Sequence, residues 1–248
     1  MTDSSSASAA AAPPLQNGPK ASSLYAQPTT ISTINFKGGV GKTTSCLNLA
    51  AAAYEEGFSV LILDLDPQGS ATEFAKLDKL DQGREAPTLY DWLVGESALR
   101  EVAVDLGEGA GREGAGREGS RVSVGAMLLC PADERLTKIQ ALLYAKGKRS
   151  YLKDALRKEG LPNRKGAPNE GSSNDAPADA SGLEGDRSSF LSRFDFVFLD
   201  VPPSVSALSD NVVLASDLAL LVLSCQFMSL NGLRRFTEML RRAHRAGA

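Results

Sequence analysis

The chain has 248 residues, 42% of them hydrophobic, enough to enclose one α/β core or two small ones. A formal charge of −3 excludes a whole-chain attraction to nucleic acid, so any such contact has to come from a local patch. Three scattered cysteines, Cys46, Cys130 and Cys225, form no C-x-x-C pair, which argues against a disulfide framework and a zinc site and suits a reducing cytoplasm.

Residues 1–30 are rich in Ser, Ala and Pro and lack hydrophobic periodicity, so they are expected to be disordered. A transit peptide is the alternative, but the stretch has one lysine and no arginine; a secretory leader is not expected either. ISTINF (31–36) predicts a short buried strand. The helix expected next places Leu47, Ala50, Ala51 and Tyr54 on one face, with Gly57 at its C′ position. FSVLILDLD is an almost continuous apolar strand, the pattern of a parallel sheet buried on both faces, and completes a βαβ unit.

TLYDWLVGE (88–96) predicts a short helix containing Trp92, a core residue. GEGAGREGAGREGS (107–120) holds a tandem GAGRE repeat and reads as a flexible insertion. RVSVGAMLLCPA (121–132) predicts a third strand ending at Pro131. Helices follow, carrying Leu136, Ile139 and Leu143, then Leu152 and Leu156. Residues 160–189 read as a second flexible insertion. FDFVFLDVPPS (194–204) and SDLALLVLSCQ (216–226) are the fourth and fifth strands, and a last helix is expected to turn Leu233, Phe236 and Leu240 inward. Cys130 and Cys225 read as small core residues, and His244 as an exposed bystander. No apolar run is long enough to span a bilayer, so no membrane partner is expected.

The chemistry concentrates at NFKGGVGKTT, between the first strand and the first helix. The common phosphate-loop pattern G-x-x-x-x-G-K-S/T wants glycine where this chain has Phe36, and a second lysine, Lys37, stands next to it. Gly38, Gly39 and Gly41, with Val40 between them, provide the backbone freedom to wrap phosphates. Lys42 is placed to neutralise β- and γ-phosphates, Thr43 to offer its hydroxyl to Mg²⁺, and Thr44 to donate at the helix start. Asp64 and Asp66 in LDLDPQG, and Asp200 in FVFLDVPPS, close two strands at the end where parallel sheets gather ligands. Turn capping is the plainer alternative for each of these acids.

NFKGGVGKTT resembles the deviant Walker A motif, K-G-G-x-G-K-S/T, of the ParA/MinD family of ATPases. The resemblance covers residues 31–102, 121–158 and 193–240. It implies a P-loop three-layer α/β fold, ATP and Mg²⁺ as cofactors, and a homodimer in which Lys37 reaches the partner's nucleotide. It also implies that Asp66 helps to position or activate the attacking water, Asp64 supports the magnesium shell, and Asp200 is the Walker B acid. Pro202 and Pro203 belong to the segment that senses the γ-phosphate in this family.

D-P-Q-G, T-L-Y-D-W-L and L-D-x-P-P-S resemble the ParA partition branch. That branch implies a slow, cytoplasmic, nucleoid-associated ATPase. It binds DNA non-specifically in the ATP state and is stimulated by a ParB-like centromere-binding partner. Val222 and Ser224 depart from the family's proline and glutamine, and Asn231 replaces an acid. Family members are also expected to continue past the last helix by roughly a hundred residues, so the fold is expected to be C-terminally incomplete. Adenine contacts and most of the basic DNA surface would then be missing. Arg234, Arg235, Arg241, Arg242 and Arg245 suit either a phosphate-backbone patch or a solvated helix face, the latter favoured. The alternatives are a truncated, non-hydrolysing nucleotide-binding module and the MinD-like or nitrogenase iron-protein-like branches.

Overall fold

The computed structural model describes residues 28–77, 86–106, 125–146, 149–161, 189–204, 206–224 and 229–245. Strands β1 (Thr29–Ile34), β2 (Val60–Asp64), β3 (Val104–Asp105), β4 (Met127–Cys130), β5 (Phe196–Asp200) and β6 (Leu218–Leu221) form one sheet in the order β3-β4-β2-β5-β1-β6. All neighbours are parallel except the two-residue β3, which runs antiparallel to β4. The described helices are α1 (Lys42–Glu55), α2 (Ser70–Phe74), α3 (Leu89–Val94), α4 (Leu99–Val102), α5 (Leu136–Lys146), α6 (Tyr151–Lys158), α7 (Ala207–Ala215) and α8 (Ser229–Arg245).

The apolar strands are continuous because both faces of the sheet are covered. In β2 and β5, Leu61, Leu63, Val197 and Leu199 face a core completed by α3 to α8. Their neighbours Val60, Ile62 and Phe198 face Cys46, Leu47 and Ala50 of α1. This is the expected mostly parallel three-layer architecture. Parallel pairing also gathers the ends of β1, β2 and β5 at one edge, so the loops after them lie side by side. The register matches Asp64 with Asp200 and Thr33 with Asp200.

Several expectations need correcting. β1 runs Thr29–Ile34 rather than 31–36, because Asn35 and Phe36 already belong to the loop. α8 turns Phe236 and Met239 inward, while Leu233 and Leu240 are 41% and 40% exposed. Among the described elements, α8 rests chiefly on α7. Leu218 and Leu220 of β6, the outermost strand on that side among the described residues, are also exposed.

Gly57 has the expected left-handed C′ conformation, with φ 91°. Trp92 and Cys130 are buried, as are Leu136, Ile139, Leu143, Leu152 and Leu156. The 107–120 insertion, most of 160–189, Cys225 and the His244 side chain lie outside the described residues. Among the described residues, no helix is long and apolar enough to cross a membrane.

Leu199 is fully buried in a strand with neighbours on both sides. Leu199→Ala is expected to destabilise the chain by about 2–5 kcal/mol through lost transfer energy and the cavity left behind. Urea unfolding followed by circular dichroism checks this, with a lower midpoint at an unchanged slope as the expected result.

Candidate functional site

The loop from Asn35 to Gly41 joins the end of β1 to the first turn of α1. Gly39 and Gly41 have φ values of 71° and 95°, which side chains with a Cβ avoid. Gly41 is the N-cap of α1 and provides no side-chain cap, so the first-turn N–H groups of the helix keep their donor capacity. A Cβ on Gly38 would meet no atom within 4 Å, and Gly38 is not in the left-handed region. Nothing in the described contacts of the chain requires glycine at that position.

Lys42, only 7% exposed, points its Nζ toward the Lys37 carbonyl at 3.5 Å. Burial pulls the Lys42 ammonium below its ordinary pKa, and the charges of Asp200 and Asp66 oppose that shift. Asp200 is fully buried. Burial pushes its pKa up and Asp66 adds to the rise, while the Thr43 hydroxyl and Lys42 pull it down. Asp200 Oδ1 accepts a long hydrogen bond from Thr33 Oγ1 at 3.5 Å. Asp200 Oδ2 is buried and has no hydrogen-bond partner among the described residues. A buried carboxylate oxygen without a donor suits a cation.

Asp64 is placed differently. Its Oδ2 accepts from both the N–H and the hydroxyl of Thr72, at 2.9 and 2.8 Å, and its Oδ1 accepts from the Asp66 N–H at 3.2 Å. The Thr72 hydroxyl oxygen in turn accepts from the Ala132 N–H at 2.9 Å. Asp64 therefore ties the start of α2 and the segment after β4 to the end of β2. Desolvation dominates its titration and pushes its pKa up to about 7. Asp66 Oδ1 caps the following turn by accepting from the Gln68 N–H at 3.0 Å. The turn-capping role is thus real for both acids, and Asp66 still lines the cleft.

The loop borders a cleft of about 510 Å³ lined by Gly38, Gly39, Gly41, Lys42, Thr43, Thr44, Asp66 and Pro203. Leu47, Asn48, Gln68, Ser70 and Phe74 complete its wall, and sequence reasoning missed these. Phe74, 76% exposed, is the one that an isolated aromatic at the end of α2 could have flagged. Lys37 is exposed and is not among the lining residues; neither are Val40, Asp64 and Asp200.

A larger groove of about 1,060 Å³ lies on the other side of Gln68 and Gly69. It is lined by five carboxylates, Glu73, Asp91, Glu96, Asp133 and Glu134, and a single cation, Arg135, which bonds Asp91 and Asp133 at 2.8 Å. That charge balance repels phosphate, so of the two the smaller cleft suits an anion better. Among the described residues, no group of three or more His, Cys, Asp or Glu side chains could hold a metal by itself. A cation here would draw on the Asp200 oxygen, the Thr43 hydroxyl and oxygens of a bound phosphate.

Strand, glycine-rich loop, helix start and strand-end acids in this arrangement define a P-loop nucleotide-binding protein. Residues 28–158 and 183–247 match the family AAA_31, an AAA domain, and the chain belongs to this family. A Pseudomonas putida protein without an assigned function is 31% identical over 84% of this chain and 60% of its own length. The Caulobacter vibrioides chromosome partitioning protein ParA is 29% identical over 88% of this chain and 65% of its own. Among solved structures, cobyrinic acid a,c-diamide synthase from Mycobacterium smegmatis with bound ADP and magnesium superposes with a TM-score of 0.61. It is 26% identical and covers 88% of this chain and 69% of its own. The chain thus spans about 60–65% of the length of these two relatives.

Asp64 has a folded-state pKa raised above its ordinary 3.8. Its stability contribution is therefore fully present below about pH 4 and lost as pH rises through about 7. The ligand-free protein is expected to lose on the order of 4 kcal/mol from this group over that span. Asp64→Asn is expected to flatten the slope. Urea midpoints at several pH values between 4 and 8 check it; an unchanged slope in Asp64→Asn contradicts the assignment.

Proposed function

We propose that this chain is the ATP-handling part of a dimerising switch ATPase of ParA type. It would bind DNA non-specifically in the ATP state and hydrolyse ATP slowly, faster on contact with a ParB-like centromere-binding partner. The working location is the cytoplasm, on the nucleoid. The observation that carries this reading is the convergence of Lys42, Thr43 and Asp66 on one cleft, backed by the buried Asp200, with Lys37 exposed outside it.

Gly38, Gly39, Val40, Gly41 and Thr44 contribute backbone N–H groups to the phosphates, and the uncapped start of α1 favours their negative charge. Lys42 neutralises the β- and γ-phosphates. Asp200 Oδ2 and the Thr43 hydroxyl would hold Mg²⁺, directly or through water, and Asp64 supports that shell from behind through Thr72 and Asp66. The metal, when bound, supplies positive charge against the phosphate oxygens. Asp66 sits at the cleft wall, with Oδ1 fixed by Gln68, and orients the attacking water.

Two features support a lysine acting in trans. Lys37 is exposed beside the cleft, and Gly38 has room that no described contact of its own chain uses. A second protomer approaching face to face needs that room, and its nucleotide is where an added cation counters the charge developing in hydrolysis. The exposed Arg234, Arg235 and Arg241 of α8 offer a small basic face for DNA phosphates.

Lys42→Ala is expected to weaken ATP binding by at least about tenfold, whereas Lys37→Ala leaves ATP affinity within about threefold and lowers kcat by about a hundredfold. Asp66→Ala is expected to behave like Lys37→Ala. Equilibrium binding of a fluorescent ATP analogue and single-turnover hydrolysis separate the two classes. Unchanged hydrolysis in both Lys37→Ala and Asp66→Ala sinks the mechanism, and DNA binding that persists without nucleotide sinks the switch.

A further inference from the structure

The loop that carries Lys37 is gripped by a side chain that lies just ahead of K-G-G-V-G-K-T and does not line the cleft. Asn35, 3% exposed, directly follows the last residue of β1. Its Oδ1 accepts the Lys37 backbone N–H at 3.0 Å, a local turn two residues long. Its Nδ2 donates to the carbonyl of Val222, just past β6, at 2.5 Å. Only this amide orientation satisfies both partners, since the reverse would set N–H against N–H and oxygen against oxygen.

The surroundings leave that amide little freedom. The Val222 N–H donates to the Ile34 carbonyl at 3.1 Å, so both backbone groups of Val222 are engaged by the tail of β1. A Cβ placed on Gly232 of α8 would lie 3.4 Å from Asn35 Oδ1, so the helix backbone closes over the amide. On the other side of Lys37, its carbonyl faces Lys42 Nζ. The backbone of Lys37 is therefore fixed at its N–H by Asn35 and held at its C=O by the phosphate-binding lysine.

We infer that Asn35 is a positioning residue for Lys37: its side-chain amide sets the direction in which the exposed lysine leaves the loop, using the Val222 carbonyl just past β6 as the anchor. The inference rests on the reading of Lys37 as a lysine that acts in hydrolysis. A lysine that has to reach a neighbouring protomer gains from a fixed starting point, because misplacement by about an ångström costs large factors in rate. Asn35 itself is not among the residues lining the cleft and has no phosphate to hold. Its removal should therefore appear in kcat and not in nucleotide affinity.

The first measurement is hydrogen exchange of the Lys37 amide in the nucleotide-free protein. Asn35→Ala is expected to raise its rate by at least about fivefold while distant core amides are unchanged. The second is a double-mutant cycle in single-turnover ATP hydrolysis. Asn35→Ala is expected to lower kcat by about tenfold or more with ATP affinity within about threefold, and to add almost nothing in a Lys37→Ala background. Asn35→Ser keeps a short acceptor for the turn but cannot reach Val222; it is expected to recover part of the loss, and it carries the cycle if Asn35→Ala does not fold.

Unchanged exchange at Lys37, a loss confined to affinity, or a kcat loss that persists in full in the Lys37→Ala background overturns the assignment. If Lys37→Ala alone hydrolyses ATP at the wild-type rate, the reading of Lys37 fails instead. The exchange result still reports whether Asn35 holds the loop.

Discussion

A buried ammonium facing two buried carboxylates is the constraint on which the site depends. Lys42, at the first turn of α1, loses hydration on burial, and an unpaired buried cation would cost several kcal/mol. Asp200 and Asp66 offset part of that cost, desolvation remaining the larger effect. Two acids against one lysine leave the local charge negative, with a desolvated oxygen on Asp200 that no donor reaches among the described residues. A metal–phosphate ligand would supply both what Lys42 attracts and what Asp200 lacks.

The parallel sheet makes this possible. Strand ends that point the same way bring the loops after β1, β2 and β5 together, and the register sets Asp200 level with Thr33 and Asp64. The two acids of LDLDPQG then separate in role. Asp64 spends its oxygens on Thr72 and Asp66, while Asp66 caps a turn with one oxygen and keeps its place in the cleft wall. A spacing of two residues in an extended strand would put both on one face; the chain leaves β2 at Asp64, and this divides them.

Much of this was legible beforehand. Continuous apolar runs announced doubly covered strands, and K-G-G-V-G-K-T-T between a strand and a helix announced a phosphate loop. What escaped were contacts that pattern does not encode. Thr72 and Asn35 look like ordinary polar residues in the chain, and their partners lie at Asp64 and Val222. The periodicity of α8 suggested Leu233 and Leu240 as inward residues. The core instead takes Phe236 and Met239 of α8, which rests chiefly on α7 among the described elements, while Leu233 and Leu240 are left partly exposed.

By itself the sequence determined the layers of the fold, the phosphate loop and the acids at the strand ends, since periodicity and backbone freedom are local properties. Only the tertiary structure decided which acid stays open to a cation, which is spent on internal hydrogen bonds, and where the loop carrying Lys37 is anchored. Thr33 meets Asp200, and Asn35 meets Val222, only because the sheet register brings together groups far apart along the chain, and Asp64 meets Thr72 because the chain turns out of β2 into α2.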